Sequence, residues 1–137
     1  MSLISTPLGR KVIGCAIEVH QTLGPGLMES IYQRAFAHEL KLNGIPFLQQ
    51  LPLPVSYKGV DLGMGYRVDF VIGDEIVVEL KTVERFLPVH DAQLLTYMRL
   101  LNIEQGLIFN FNVGRLADGI RSLVNSRVSF SKEPRQY

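Results

Sequence analysis

The sequence predicts an α/β (α+β) fold, a mixed β-sheet flanked by helices. Three observations carry this expectation. Two stretches of helical periodicity open the chain, runs of strand alternation fill its middle, and a third helical stretch precedes a last apolar strand. The expected order is helix, helix, strand, strand, strand, helix, strand. With 137 residues, 47% hydrophobic and 20% charged, the chain suits one ordinary domain with a sizeable core at about 10–124.

Thr6 can cap the first helix, and Pro7 suits its first turn. Val12, Cys15, Ala16, Val19 and Leu23 recur at helical spacing and mark its buried face. Cys15 sits in that stripe and reads as core rather than nucleophile. His20, with no partner at ligand spacing, reads as structural. Gly24-Pro25-Gly26 then breaks the chain. A second helix is expected from about Leu27, with Gly26 as N-cap, to Asn43, ended by Gly44. Its apolar stripe is Met28, Ile31, Tyr32, Ala35, Phe36, Leu40 and Leu42. Glu29 lies at one edge of it, in a first turn where a carboxylate favours the helix dipole.

Phe47 to Tyr57 is extended, but Pro46, Pro52 and Pro54 confine it to an edge or interrupted strand. Lys58-Gly59 turns the chain into Val60-Asp61-Leu62, and Gly63-Met64-Gly65 leads into a hairpin over Tyr66–Lys81. Its turn is signalled by Gly73-Asp74. Two registers compete. Pairing Ile72 with Glu75 mixes polar and apolar residues on both faces. Pairing Ile72 with Ile76 gathers Val68, Phe70, Ile72, Ile76, Val78 and Leu80 on one face and sets Asp69 across from Glu79, with Lys81 on the same side. The second register is expected.

Carboxylates facing each other across strands repel, more so on a dry face. Two acids and a lysine beside Val71 and Val77 fit a divalent-metal site with a lysine at its edge. They fit equally a charged, solvated face at the sheet edge, since structural ion pairs are common. Beyond the hairpin, Thr82–Pro88 connects to a helix over about Val89–Leu101. On it His90, Gln93, Tyr97 and Leu100 share one face, while Leu94, Met98 and Leu101 face the core. Gln93 and Tyr97 alone would pass for a semi-polar flank. Gln105–Phe111 is an apolar strand buried on both faces. Arg115–Val124 fits a short helix or a strand, and 125–137 is a polar, weakly patterned tail.

The net charge of +1 advertises no global field for nucleic acid. Charge is uneven, however: Arg115, Arg121, Arg127, Lys132 and Arg135 against Asp118 and Glu133 leave the stretch from Asn112 at +3 and the remainder at −2. The single cysteine excludes an internal disulfide, a cysteine-rich zinc site and a four-cysteine iron–sulfur cluster. No signal peptide or long apolar span is visible, so a cytoplasmic protein with no membrane partner is expected.

Four elements in order resemble the PD-(D/E)XK nuclease superfamily, specifically its RecB-type and λ-exonuclease-type motif set. Gly26-Leu27-Met28-Glu29 resembles G-x-x-E, and Val68-Asp69 the strand aspartate. Glu79-Leu80-Lys81 resembles (D/E)-x-K, and Gln93 to Tyr97 resembles Q-x-x-x-Y. The run Gly26 to Tyr32 also matches the label of the GxxExxY family placed in that superfamily, with echoes at Tyr57-Lys58-Gly59 and Gly106–Phe111. The namesake proline is absent, since Val68 precedes Asp69.

The resemblance, spanning about Arg10 to Val124, implies a restriction-endonuclease-like core and a metal-dependent nuclease acting on nucleic acid, DNA before RNA. It implies Asp69, Glu79, Glu29 and the backbone carbonyl of Leu80 as ligands of Mg²⁺ or Mn²⁺. Lys81 would orient the attacking water or offset charge on the phosphate, Gln93 would steady it, and Tyr97 would support Gln93. The alternatives are a nuclease-fold module that binds nucleic acid or a protein with little or no turnover, and hydrolysis of a smaller phosphate ester. The basic excess, with Arg67 and Arg85, could form a local groove, and a two-fold homodimer could join two of them.

Overall fold

The computed structural model describes residues 6–125. Three helices, α1 (Pro7–Leu23), α2 (Glu29–Leu42) and α3 (Pro88–Leu101), pack on a sheet of β1 (Phe47–Tyr57), β2 (Val60–Ile72), β3 (Ile76–Lys81), β4 (Gln105–Asn110) and β5 (Ile120–Val124). The strands lie in chain order, antiparallel except for the parallel β3–β4 pair. The expected mixed sheet with flanking helices is what forms.

Thr6 caps α1 as its composition suggests, its hydroxyl accepting the Gly9 N–H at 3.0 Å. Val12, Cys15, Ala16 and Val19 of α1 join Tyr32, Phe36 and Leu40 of α2 against Phe70, Ile72, Ile76, Val78, Leu80, Leu107 and Phe109 of the sheet. On the other face, Leu94, Tyr97, Met98 and Leu101 of α3 cover Val68, Val71, Val77 and Ile108. Each fully buried side chain of this size stabilises by about 1.5–3 kcal/mol. Burial also pushes the Cys15 thiol up to about 11, with Glu39 adding to it, which fits a core residue. His20 is structural: its Nε2 lies 2.8 Å from the Val113 carbonyl oxygen, to which it donates.

Several local expectations need correction. The second helix begins at Glu29, with Met28 rather than Gly26 as N-cap. Gly24 and Gly26 hold positive φ, and the loop is pinned by Tyr32, whose hydroxyl donates to the Gly24 carbonyl and accepts the Leu27 N–H. Met28 and Leu42, placed in the apolar stripe, are exposed, while Gln33 and Ala37 are buried. β2 starts at Val60, ahead of the hairpin expected from Tyr66, and runs for 13 residues through Gly63 and Gly65. Arg115–Val124 is both of its alternatives in succession, a 3₁₀ turn at Leu116–Gly119 and then β5. The tail beyond Asn125, including Arg127, Lys132 and Arg135, lies outside the described residues.

The hairpin register is the expected one, with Ile72 opposite Ile76. Gly73 and Asp74 both adopt left-handed φ, and the Glu75 N–H closes the turn on the Ile72 carbonyl. One side chain departs from the alternation. Val68 packs under α3 with Val71, not with Phe70 and Ile72 beneath α1 and α2. The strand changes face at Asp69.

α3 approaches the sheet closely because β4 carries Gly106. A Cβ there would stand 2.6 Å from Met98 Sδ and 3.0 Å from a Leu94 methyl. Gly106→Ala is expected to lower unfolding free energy by about 1–3 kcal/mol, the usual effect of overpacking. Urea unfolding monitored by circular dichroism measures it; an unchanged midpoint would show that α3 has room to move.

Candidate active site

Asp69 and Glu79 meet where the β2–β3 ladder ends, one step beyond its last rung, Phe70–Val78. Here side chains take over from backbone. The Asp69 N–H donates to Glu79 Oε2 at 2.7 Å, and the Leu80 N–H donates to Asp69 Oδ2 at 2.8 Å. Each carboxylate is thus tied to the opposite strand, and a pair that repels is locked face to face. β2 and β3 are interior strands and α3 covers their charged face, so Glu79 is only 4% exposed. The alternative of a solvated sheet edge is therefore excluded.

Burial pushes both carboxyls up. For Glu79 the shift is large, with Asp69 and Glu29 adding to it, and Lys81 and the Asp69 N–H opposing. For Asp69 burial is opposed by the Leu80 N–H, by the side chains of Gln33 and Gln50 and by Lys81. Glu29, the first residue of α2, is an exposed group at the rim. Its carboxyl is raised by partial desolvation and then by Asp69, with Lys81 opposing.

Lys81 follows Glu79 on the same face, and its Nζ donates to Gln93 Oε1 at 3.3 Å. One turn on from Gln93, the Tyr97 hydroxyl is pushed up to about 12 by desolvation and by the Glu79 and Asp69 charges. The Tyr97 ring packs edge-on against Tyr66, with centroids 5.7 Å apart. His90, on the same helix, serves as a cap: its Nδ1 accepts the Leu87 N–H at 3.0 Å. All six side chains singled out from sequence therefore belong to one constellation: Asp69 and Glu79 at its centre, Lys81, Gln93 and Tyr97 along one flank, Glu29 at the rim.

Three further residues escaped the sequence reading. Gln50 Nε2 bonds Asp69 Oδ1 at 3.4 Å and donates to Gln33 Oε1 at 3.1 Å, which sets Gln33 beside the carboxylate. Buried Asn110 accepts the Val83 and Asn112 N–H groups and donates to the Val83 carbonyl at 2.8 Å, tying the chain beyond Lys81 to the end of β4. Gln33 could have been found, since it stands four residues after Glu29 on one helix face. Nothing in the sequence signals Gln50 or Asn110. A separate cleft of about 410 Å³, lined by His20, Gln21, Gly24, Pro25 and Arg115 among others, contains none of the carboxylates. Of the basic residues expected to form a groove, Arg121 is engaged with Asp91, its Nε donating at 3.1 Å.

A family model described as the PD-(D/E)XK nuclease superfamily matches residues 6–123. The chain belongs to this superfamily. No curated protein and no solved structure matches it significantly. PD-(D/E)XK nucleases typically use divalent metals, and the superfamily implies a nucleic-acid substrate. The residues present fit such an ion: the buried Glu79 and half-buried Asp69 carry unfavourable charge, and their donors are hard oxygens. Among the described residues no third His, Cys, Asp or Glu stands close enough to complete a ready set, so Glu29 would have to lean in from the rim. No helix of the described residues is long and apolar enough to cross a membrane.

The raised carboxyls make stability pH-dependent. Asp69 and Glu79 hold protons more tightly folded than unfolded, so their contribution is fully present below the ordinary values of 3.8 and 4.5 and is lost as pH rises through the folded values. Glu79→Gln retains an acceptor for the Asp69 N–H and carries no charge. In metal-free chemical denaturation it should be more stable than wild type at neutral pH, with the difference shrinking towards acid pH. A variant equally stable at every pH would show that Glu79 is not strained by its burial.

Proposed function

We propose that this chain is a metal-dependent nuclease that hydrolyses phosphodiester bonds, in DNA before RNA, and that it falls with the GxxExxY family of the superfamily. The family reading draws on Gly26, Glu29 and Tyr32, where Tyr32 pins the glycine loop from which Glu29 emerges. The observation that carries the nuclease reading is the unpaired state of the central charges. Asp69, Glu79 and Lys81 converge, yet none forms an ion pair within reach of another described residue. In a pure binding module such charges would be expected to neutralise one another.

In this reading Asp69, Glu79 and the Leu80 carbonyl hold Mg²⁺ or Mn²⁺, and Glu29 completes the acidic cluster as ligand or water-holder. When bound, the ion lowers the pKa of a coordinated water and neutralises phosphodiester oxygens. Lys81, held by Gln93, orients the attacking water and offsets charge developing on the phosphate. Tyr97 supports Gln93 from the next helical turn. The water attacks phosphorus directly, the leaving oxygen departs with a proton, and no enzyme-bound intermediate forms.

Calorimetry with Mn²⁺ and cleavage of mixed single- and double-stranded DNA test this on wild type, Glu79→Ala and Lys81→Ala. Glu79→Ala should lose both metal binding and cleavage. Lys81→Ala should keep metal binding and lose cleavage by about 10²–10³-fold, the usual effect of removing one group that stabilises transition-state charge. A wild type that binds Mn²⁺ but cuts neither DNA nor RNA would favour the non-catalytic module, and one that binds no metal would sink the nuclease reading.

A further inference from the structure

Asp69 sits at an unusual place in the sheet. The β1–β2 register is continuous from Phe47–Ile72 through Leu53–Tyr66 except at one rung, where Gln50 should pair with Asp69 and does not. Gln50 has φ +53, the left-handed region, in the middle of a strand. Both strands change face at this rung. Phe47 and Phe70 pack beneath α1 and α2, whereas Leu51, Leu53, Tyr66 and Val68 pack with the α3 layer.

A non-glycine residue held left-handed inside a strand is strained, and such strain persists where the surrounding structure over-determines it. Here two amides do so. Gln50 Nε2 donates to Gln33 Oε1 at 3.1 Å and reaches Asp69 Oδ1 at 3.4 Å. Gln33, itself only 8% exposed, is held in turn, its backbone carbonyl lying 3.5 Å from Gln49 Nε2. By accepting from Gln50, the Gln33 side-chain oxygen holds the Gln50 amide beside the carboxylate. The Leu80 N–H holds the other oxygen, Oδ2. Asp69 thereby meets a neutral donor at each oxygen, from β1, braced by α2, on one side and from β3 on the other.

We propose that Gln50 and Gln33 form an amide clamp that positions Asp69 as a metal ligand, with the left-handed backbone of Gln50 as the device that brings its side chain there. Neutral amides orient the carboxylate without cancelling its charge, which an arginine or lysine in the same place would do. They also leave lone pairs on both oxygens for a cation. The proposal rests on the metal-site reading above and assigns neither glutamine a direct part in the reaction.

The backbone strain makes the test decisive. Gln50→Gly removes the amide and relieves the strained φ together, so it separates holding the fold from holding the ligand. The metal-free variant should be as stable as wild type or more so, while its Mn²⁺ affinity by calorimetry falls about 10–100-fold, the usual loss when a partner of a metal ligand is removed. Gln50→Asn tolerates the left-handed backbone but is one methylene short, so its affinity should stay low. Gln33→Met, similar in volume and without an acceptor for the Gln50 amide, should lose affinity as well, and it decides the matter should Gln50→Gly fail to fold. Wild-type Mn²⁺ affinity in a folded Gln50→Gly or in Gln33→Met overturns the clamp alone. A wild type that binds no Mn²⁺ overturns the clamp and the metal-site reading together.

Discussion

The architecture turns on two carboxylates that folding forces into a place where neither is comfortable. At the end of the β2–β3 ladder Asp69 and Glu79 each surrender an oxygen to a backbone N–H of the other strand. Those two bonds replace the rung that the ladder lacks, so the hairpin cannot relax by turning the acids to solvent. Backbone donors favour the charged forms, but burial outweighs them and both carboxyls are held above their usual range. The result is a preorganised site of poorly compensated negative charge, which a hard cation would relieve.

The surrounding elements shield Glu79 and keep the site in register. α3 lies close to β4 because Gly106 carries no side chain, and this brings Gln93 over Lys81 and Tyr97 against Tyr66. Asn110 ties the segment beyond Lys81 to β4 through two hydrogen bonds to Val83, which fixes the end of β3. On the opposite face, Tyr32 stacks on Phe111 with centroids 4.5 Å apart and its hydroxyl holds the glycine loop before Glu29. Two aromatic packings therefore locate the two flanks of one acidic centre.

The stability of the fold and the readiness of the site pull in opposite directions. A desolvated carboxylate pair that Lys81 only partly offsets weakens the folded state, and a left-handed glutamine in a strand adds strain. The cores on both sheet faces offset these local penalties, with Phe36, Phe70, Phe109 and Phe111 on one side and Leu94 and Met98 on the other. Local irregularity is concentrated around Asp69, where metal chemistry would require a fixed carboxylate.

Alternation alone sufficed to set Ile72 opposite Ile76 and so Asp69 beside Glu79, because a one-residue slip would have buried charges throughout the hairpin. Helical spacing likewise put Gln93 and Tyr97 on one face, and the motif order pointed to the superfamily that the family match shows. Periodicity is a local property, and these are its consequences. What it could not reach depended on contacts between distant segments. Whether the acidic face was wet or dry was decided by α3 closing over it, and the turn of Val68 to the other face by the break at Gln50 and Asp69. The roles of Gln33, Gln50 and Asn110 exist only once residues far apart in sequence share hydrogen bonds. The sequence by itself determined the order of the elements and the rung that holds the acids. Only the tertiary structure decided their burial and their partners, because desolvation and hydrogen bonding belong to the assembled layers and not to any one strand.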